Sequence, residues 1–115
     1  MAKPNMAELF KQAQKMQEEM DRVQKELETT MVEGTAGGGM VTVTASGKQR
    51  IVKVKIDAEV VSSGDLEMME DLVAAAVNQA LEKSQEKAQE AMQKAAGGML
   101  GNLPFGGMKL PGLNL

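Results

Sequence analysis

Apolar residues recur at helical spacing in two separate stretches of the chain. The first stretch steps by four and three residues in turn and contains Leu9, Ala13, Met16, Met20, Val23, Leu27 and Thr30. The second stretch contains Met69, Leu72, Val73, Ala76, Ala80, Ser84, Ala88, Ala91 and Ala95. Because residues at this spacing share one face of an α-helix, the pattern predicts two long amphipathic helices.

Capping residues mark where both predicted helices begin. Asn5 precedes the first stripe and Glu8 follows three positions later, which is the spacing of a capping box. Asp65 precedes the second stripe, and acidic residues follow in the early turns, where the positive end of the helix dipole stabilises them. The first helix is therefore predicted over about residues 6–28, and the second is predicted to begin directly after Asp65.

Between the two stripes the pattern changes to strand alternation. Two runs place apolar residues on one face and threonine or lysine on the other: Val41, Thr42, Val43, Thr44 and Ala45, then Val52, Lys53, Val54, Lys55 and Ile56. Residues 29–32 also favour extended backbone. Four glycines, Gly34, Gly37, Gly38 and Gly39, are predicted to turn the first strand into the second. The expected product is a three-stranded meander with one apolar face and one threonine-lysine face.

These elements predict an α+β fold with a long N-terminal helix, a three-stranded antiparallel sheet and a long C-terminal helix. Residues 1–96 are expected to form one domain, and residues 97–115, with six glycines and two prolines, a flexible tail. Since so little strand cannot cover both helices, apolar surface should be buried against a second copy of the chain. We expect an intertwined or tweezer-like homodimer whose interface includes Met16, Met20, Val23, Leu27, Val41, Val43, Leu72, Val73 and Ala76.

Composition narrows the chemistry open to this chain, which has no cysteine and no histidine. These absences exclude disulfides, zinc-thiolate clusters and a thiol nucleophile, and they remove the usual base at neutral pH. No nucleophile, base and orienting group can be assembled from the remaining residues. We therefore expect neither an enzyme nor a protein that holds a metal, a cofactor or a small-molecule substrate. No apolar run approaches membrane-spanning length, which indicates a cytosolic protein without membrane contact.

Charge is distributed unevenly along the chain. The net charge is −3, yet residues 31–56 carry four basic side chains against one acidic one, and residues 57–96 carry three against nine. The basic residues of the strand region are candidates for contact with the phosphate backbone of duplex DNA: Lys48, Arg50, Lys53 and Lys55. An ordinary solvated sheet face is the alternative explanation. No aromatic residue accompanies them, which disfavours base stacking and hence single-stranded nucleic acid.

The first helix offers a second group of basic candidates off its apolar stripe: Lys11, Lys15, Arg22 and Lys25. Acidic residues alternate with them, and pairs such as Glu18 and Arg22 have the spacing of surface salt bridges along a helix. Salt bridges along the helix are therefore the simpler explanation for these side chains, and contact with DNA is the secondary hypothesis.

Several residues together resemble the pattern of one known family. They are Gly34, Gly37, Gly39, Val41, Val43, Gly47, Val54, Ile56, Asp57 and the run from Glu70 to Asn78. Over roughly residues 6–96 the chain resembles the YbaB/EbfC family of bacterial nucleoid-associated proteins. The resemblance implies a helix-strand-strand-strand-helix homodimer that binds DNA in the nucleoid and alters its conformation. It also implies roles in nucleoid organisation, gene regulation and DNA protection.

A protein-interaction module is the alternative function. In that case the acidic second helix and the apolar tail would recruit a partner protein, and DNA association would be incidental. The overall acidity of the chain favours this alternative, whereas the basic strands favour DNA. The pattern leaves open the DNA sequence preference, the extent of bending or bridging, and any assembly larger than a dimer.

Overall fold

The fold consists of three helices and one three-stranded sheet within residues 5–100, the part of the chain that this computed structural model describes, with side chains described for residues 5–97. In chain order the elements are α1 (Met6–Thr29), β1 (Met31–Ala36), β2 (Val41–Ser46), β3 (Ile51–Ile56), α2 (Ala58–Ser62) and α3 (Leu66–Leu100). This order confirms the predicted α+β fold; the short α2 is an addition to it. Within the described range, no helix has an apolar stretch long enough to cross a bilayer.

Both long helices begin at the predicted caps. The side-chain oxygen of Asn5 accepts a hydrogen bond from the Glu8 amide at 2.8 Å. The Asp65 carboxylate accepts one from the Met68 amide at 3.0 Å. Each bond satisfies an amide in the first turn that has no partner inside its helix, so the caps determine where α1 and α3 start.

α3 extends beyond the predicted domain boundary at residue 96. It continues through Gly97 to Leu100. Glycine costs a helix interior only about 1 kcal/mol relative to alanine, so helical hydrogen bonding can persist across it. The rest of the predicted tail, residues 101–115, lies outside the described residues.

The sheet is an antiparallel meander with strand order β1-β2-β3. Its register pairs Gly34 with Val43, and Val43 in turn with Val54, so these positions share one face. Thr44 pairs with Lys53 on the other face. Because directly opposed residues lie on the same side of a sheet, the predicted apolar and threonine-lysine faces are confirmed.

α3 packs across the apolar face of β1 and β2. The buried core here consists of Val32, Val41, Val43, Ala45, Ala76 and Ala80. Gly34 permits this close packing, because a Cβ at its position would lie 2.9 Å from the Ala80 Cα and nearer still to the Ala76 carbonyl oxygen. The prediction that Gly34 belongs to the turn is therefore wrong. It lies inside β1 beneath α3, and the turn spans residues 37–40.

The helix that covers β1 and β2 barely reaches β3. Val54 points to the core face because it pairs with Val43. Even so, Val52 and Val54 remain 55% and 43% exposed, although the alternation predicted that they face the interior of the protein. An apolar strip along β3 is consequently left uncovered in the single chain.

α1 packs against the second half of α3 in a smaller cluster. Val23 and Leu27 are 2% and 4% exposed, and they pack with Ala88, Ala91, Met92 and Ala95. Residues 6–18 of the same helix are all exposed. The apolar stripe of α1 is thus buried in its C-terminal part, next to the sheet, and open in its N-terminal part.

Five of the residues predicted at a dimer interface are already buried within one chain. Val23 and Leu27 belong to the α1-α3 cluster. Val41, Val43 and Ala76 are 0% exposed in the core beneath α3. Their apolar character is explained by packing within the chain, so a homodimer requires other surfaces. The remaining four stay at least partly exposed: Met16, Met20, Leu72 and Val73.

Candidate nucleic-acid interface

Two lysines of β3 lie on the face of the sheet opposite α3. Lys53 pairs with Thr44 and Lys55 pairs with Thr42. Both lysine side chains are exposed, and neither forms an ion pair within residues 5–97. Glu33 shares this face two strands away, about 10 Å from Lys53 at the usual strand spacing. The two lysines therefore form a small patch of uncompensated positive charge.

The turn between β2 and β3 presents the other two basic candidates of the strand region. Lys48 and Arg50 are exposed on either side of Gln49, which has a φ of 61°. Ser84 of α3 holds this turn: its hydroxyl donates to the Ser46 carbonyl oxygen at 2.6 Å and accepts from the Gln49 amide at 2.9 Å. Ser84 is completely buried, so α3 fixes the basic turn through bonds shielded from water.

Replacing Ser84 with alanine is expected to destabilise the fold by about 1–3 kcal/mol, because two hydrogen bonds made by a buried hydroxyl are lost, while the bond from the Gln49 amide to the Ser46 carbonyl remains. Urea denaturation followed by circular dichroism should show a lower midpoint with an unchanged slope. Ser62→Ala is the matched control, since the Ser62 hydroxyl is exposed and bonds only within α2; its effect should stay within about 0.5 kcal/mol. Equal midpoints for S84A and the wild type would contradict the anchoring role.

Lys48 lies near one carboxylate. Its Nζ is 4.0 Å from an oxygen of Glu28, and both side chains are exposed. Surface pairs of this kind contribute at most about 1 kcal/mol. Lys48 can therefore exchange Glu28 for a phosphate at little cost.

Arg22 of α1 is engaged by two carboxylates of its own helix. Its guanidinium contacts Glu19 and also Glu26, the latter at 2.7 Å. The hydrogen bond from Arg22 lowers the pKa of Glu19, and the same bond raises the pKa of Arg22. This stabilisation is therefore present above the ordinary pKa of glutamate and is lost as the pH falls through the lowered pKa. Arg22 therefore forms salt bridges, as the sequence predicted, but its partners are Glu19 and Glu26 and not the expected Glu18.

Two of the other basic residues of α1, Lys11 and Lys15, lie far from the sheet. Lys11, Lys15 and Lys25 are exposed and form no ion pair within the side chains that the structure describes. From Lys11 to the sheet end of α1 the helix rises about 27 Å, at about 1.5 Å per residue. The structure therefore separates Lys11 and Lys15 from the basic residues of the strand region, whereas Lys25 lies about one turn from the sheet end of α1.

The two edges of the sheet differ in how their backbone groups are satisfied. At the outer edge of β1, the Gln79 side chain accepts from the Thr35 amide at 2.7 Å, and the Lys83 ammonium donates to the Glu33 carbonyl at 2.9 Å. Both side chains come from α3, one turn apart. The backbone groups at the outer edge of β3 form no hydrogen bond with any of residues 5–97. β3 is thus the open edge, where another strand can pair.

A row of glutamines beside the basic turn was missed by sequence reasoning. Gln85, Gln89 and Gln93 follow one another at four-residue spacing on α3, so they share one face of that helix. Together with Gln24 of α1 and Gln49 of the turn, they line a groove. The four-residue spacing is visible in the sequence, but side-chain amides carry no charge that would single these residues out. Only the fold shows that Gln24 and Gln49 lie beside them.

Comparison with known proteins identifies relatives of this chain. The model of the YbaB/EbfC DNA-binding family matches residues 1–99. A nucleoid-associated protein from Chlorobium phaeobacteroides is 52% identical over 101 residues, covering 88% of this chain and 89% of the relative. Another from Lachnoclostridium phytofermentans is 54% identical over 104 residues, covering 90% and 85%. The crystal structure of an uncharacterized Helicobacter pylori protein shares the fold, with a TM-score of 0.64 at 24% identity over 86% of this chain and 100% of the other.

Proposed function

Because this chain belongs to the YbaB/EbfC DNA-binding family, we propose that it is a nucleoid-associated protein that binds double-stranded DNA as a homodimer and alters the conformation of that DNA. Its location is then the cytoplasm, on the nucleoid. Its roles are nucleoid organisation, gene regulation and DNA protection. The family is defined by DNA binding and not by a reaction, so we assign the chain no catalysis.

The uncompensated lysines on the open sheet face carry this proposal. Lys53 and Lys55 lie two positions apart on one strand, about 7 Å from each other by the strand rise. The adjacent turn adds Lys48 and Arg50, which are also exposed. Positive side chains placed against phosphates release condensed counterions, which gives affinity with little dependence on sequence. This local charge supports DNA binding even though the whole chain is acidic.

The open sheet face supports contact with the DNA backbone more than recognition of bases. Lysine and threonine side chains donate hydrogen bonds to phosphate oxygens. Base stacking needs aromatic side chains, and the aromatic residue within residues 5–97 is Phe10, on α1 and away from this face. Any sequence preference should then arise from the shape and deformability of the DNA.

A titration of a mixed-sequence duplex over a range of salt concentrations tests DNA binding. The logarithm of the binding constant is expected to fall linearly with the logarithm of the salt concentration, by about 0.9 for each phosphate neutralised. Two lysines from each of two subunits would give a slope of about −3.6. No detectable binding at low salt would refute the proposal.

The surface best suited to join two subunits is β3. Val52 and Val54 form an exposed apolar strip beside an unpaired strand edge, a combination that favours pairing with another strand. The edge of β1 is closed by Gln79 and Lys83. Pairing through β3 would join the two sheets and bring the lysines of both subunits onto one continuous face.

Replacing Val52 and Val54 with aspartate is expected to produce monomers, because two carboxylates in each subunit would then be buried at the contact or repel each other across it. Sedimentation velocity measures the change at concentrations where the wild type is dimeric. Val61→Asp is the matched control: Val61 is 60% exposed, somewhat more than Val52 and Val54, but lies on α2, so this variant should remain dimeric. Dimeric V52D/V54D would exclude β3 as the interface, and a monomeric wild type would exclude the homodimer.

A protein-interaction module is the second candidate function, and one surface favours it. Val61 and Leu66 are exposed where α2 meets α3, next to the carboxylates of Asp65 and Glu67. An apolar patch beside acids suits a basic partner segment with an apolar face. Pull-downs with and without nuclease distinguish the functions. Partners that persist after digestion support the module, and partners lost with the DNA support the DNA-binding role.

A further inference from the structure

A groove on one side of the α1-α3 pair is lined mainly by side-chain amides. It has a volume of about 660 Å³ and lies between α1, the turn from β2 to β3, and the second half of α3. Its polar lining consists of Gln24, Lys48, Gln49, Gln85, Gln89 and Gln93. Among the described residues that line it, Lys48 is the one charged side chain, and none is a carboxylate.

The other side of the same helix pair has a different lining. A groove of about 960 Å³ there is lined by three acids and three bases: Glu19, Arg22, Glu26, Lys87, Glu90 and Lys94. Some of these charges compensate each other directly, since Lys87 lies 3.6 Å from Glu90. A phosphate approaching this side meets carboxylates. A phosphate approaching the glutamine side meets neutral amides and Lys48, whose weak surface pair with Glu28 it can replace, so an anionic partner favours that side.

The amides of the glutamine groove have free hydrogen-bonding capacity. Within residues 5–97, two other glutamines use their side chains inside the protein: Gln17 donates to Asp21, and Gln79 accepts from Thr35. The glutamines that line the groove form no such bond with any described residue. Each free amide offers two N–H donors. Glutamine is a regular donor to DNA phosphates, so these groups suit a phosphate-bearing partner.

We propose that the glutamine groove is a second DNA contact, in which Gln85 and Gln89 donate hydrogen bonds to the sugar-phosphate backbone of a duplex. The inference rests on the proposed function and names a further site for the same DNA. Lys48 links the two contacts, because it belongs to both the basic turn and the groove. The DNA path thus continues from the sheet along the arm formed by α1 and α3.

Salt dependence separates this contact from the lysine contact. Lysines displace counterions from DNA, whereas neutral amides displace none. The variant Q85A/Q89A is therefore expected to bind a mixed-sequence duplex of about 30 base pairs about tenfold more weakly at every salt concentration, with an unchanged salt slope. Gln89→Glu keeps the side-chain size and adds a carboxylate, so it should weaken binding most strongly at low salt.

Q12A/Q14A is the matched control, because it removes two exposed amides of α1 that lie outside the groove. It should leave the affinity within about twofold of the wild type. Both double variants should keep the helical circular dichroism and the sedimentation coefficient of the wild type, since alanine favours helix and the replaced side chains are exposed.

Three outcomes would overturn the groove contact: an affinity of Q85A/Q89A within about twofold of the wild type, a reduced salt slope for that variant, or an equal loss in Q12A/Q14A. Each of them leaves wild-type DNA binding intact. A wild type that does not bind the duplex at all would instead refute the proposed function itself.

Discussion

Replacing Gly34 with alanine is expected to destabilise the chain by more than about 3 kcal/mol, enough to unfold much of a small domain. The added Cβ would lie 2.9 Å from the Ala80 Cα and closer still to the Ala76 carbonyl oxygen. These are backbone atoms of α3, which cannot rotate aside as the end of a side chain can. The helix would have to lift from the sheet, and the buried valines and alanines beneath it would meet water.

Urea and thermal denaturation followed by circular dichroism measure this effect. Gly97→Ala is the matched control, because the same methyl group is added inside α3 where it meets open space. That variant should gain about 0.5–1 kcal/mol, since alanine favours helix over glycine. A melting temperature for G34A within about 4 °C of the wild type would show that α3 shifts freely and would contradict the close packing.

Reversing the charge at Lys53 and Lys55 is expected to remove most DNA binding. K53E/K55E replaces two positive charges with two negative ones in each subunit, at positions that are exposed and unpaired within the described residues. Affinity for a duplex should fall on the order of 100-fold or more at about 0.1 M salt, and the salt slope should become shallower. The fold should be unaffected, because neither side chain packs in the core.

K87E/K94E is the control with the same change in charge. Both residues lie in the charge-compensated groove between α1 and α3, where acids surround them. These substitutions should change only the long-range electrostatic field of the protein, so we expect the affinity for the duplex to fall by less than about fivefold. If both variants lose affinity equally, net charge and not the sheet face governs binding. If K53E/K55E binds as the wild type does, the contact lies on the helices.

The sequence pattern predicted the local structure well, because helix caps and the alternation of apolar and polar residues in strands depend on residues only a few positions apart. Asn5 and Asp65 cap their helices as expected. The alternation of β2 and β3 separated the core face from the lysine face. The exposure of Val54 could not be predicted in this way, since Val54 lies on the core face of the sheet but α3 does not cover it.

For the candidate site, the sequence located the basic side chains but not the groups that they contact. The spacing of acids along α1 predicted that Arg22 forms a salt bridge, because both partners belong to the same helix. The bond from Lys83 to the Glu33 carbonyl joins a helix to a strand fifty positions away and needs the fold. The glutamine groove likewise combines α1, a turn and α3.

The sequence by itself determined the order of the two long helices and the three strands, the capped starts of those helices, the two faces of the sheet and the excess of positive charge on the strands. All of these depend on neighbouring residues. The tertiary structure decided which surfaces remain open: α3 seals β1 and β2 and closes the edge of β1, while β3 stays uncovered. Burial and edge pairing depend on residues far apart in the chain, and the close approach of α3 at Gly34 fixes where those residues meet.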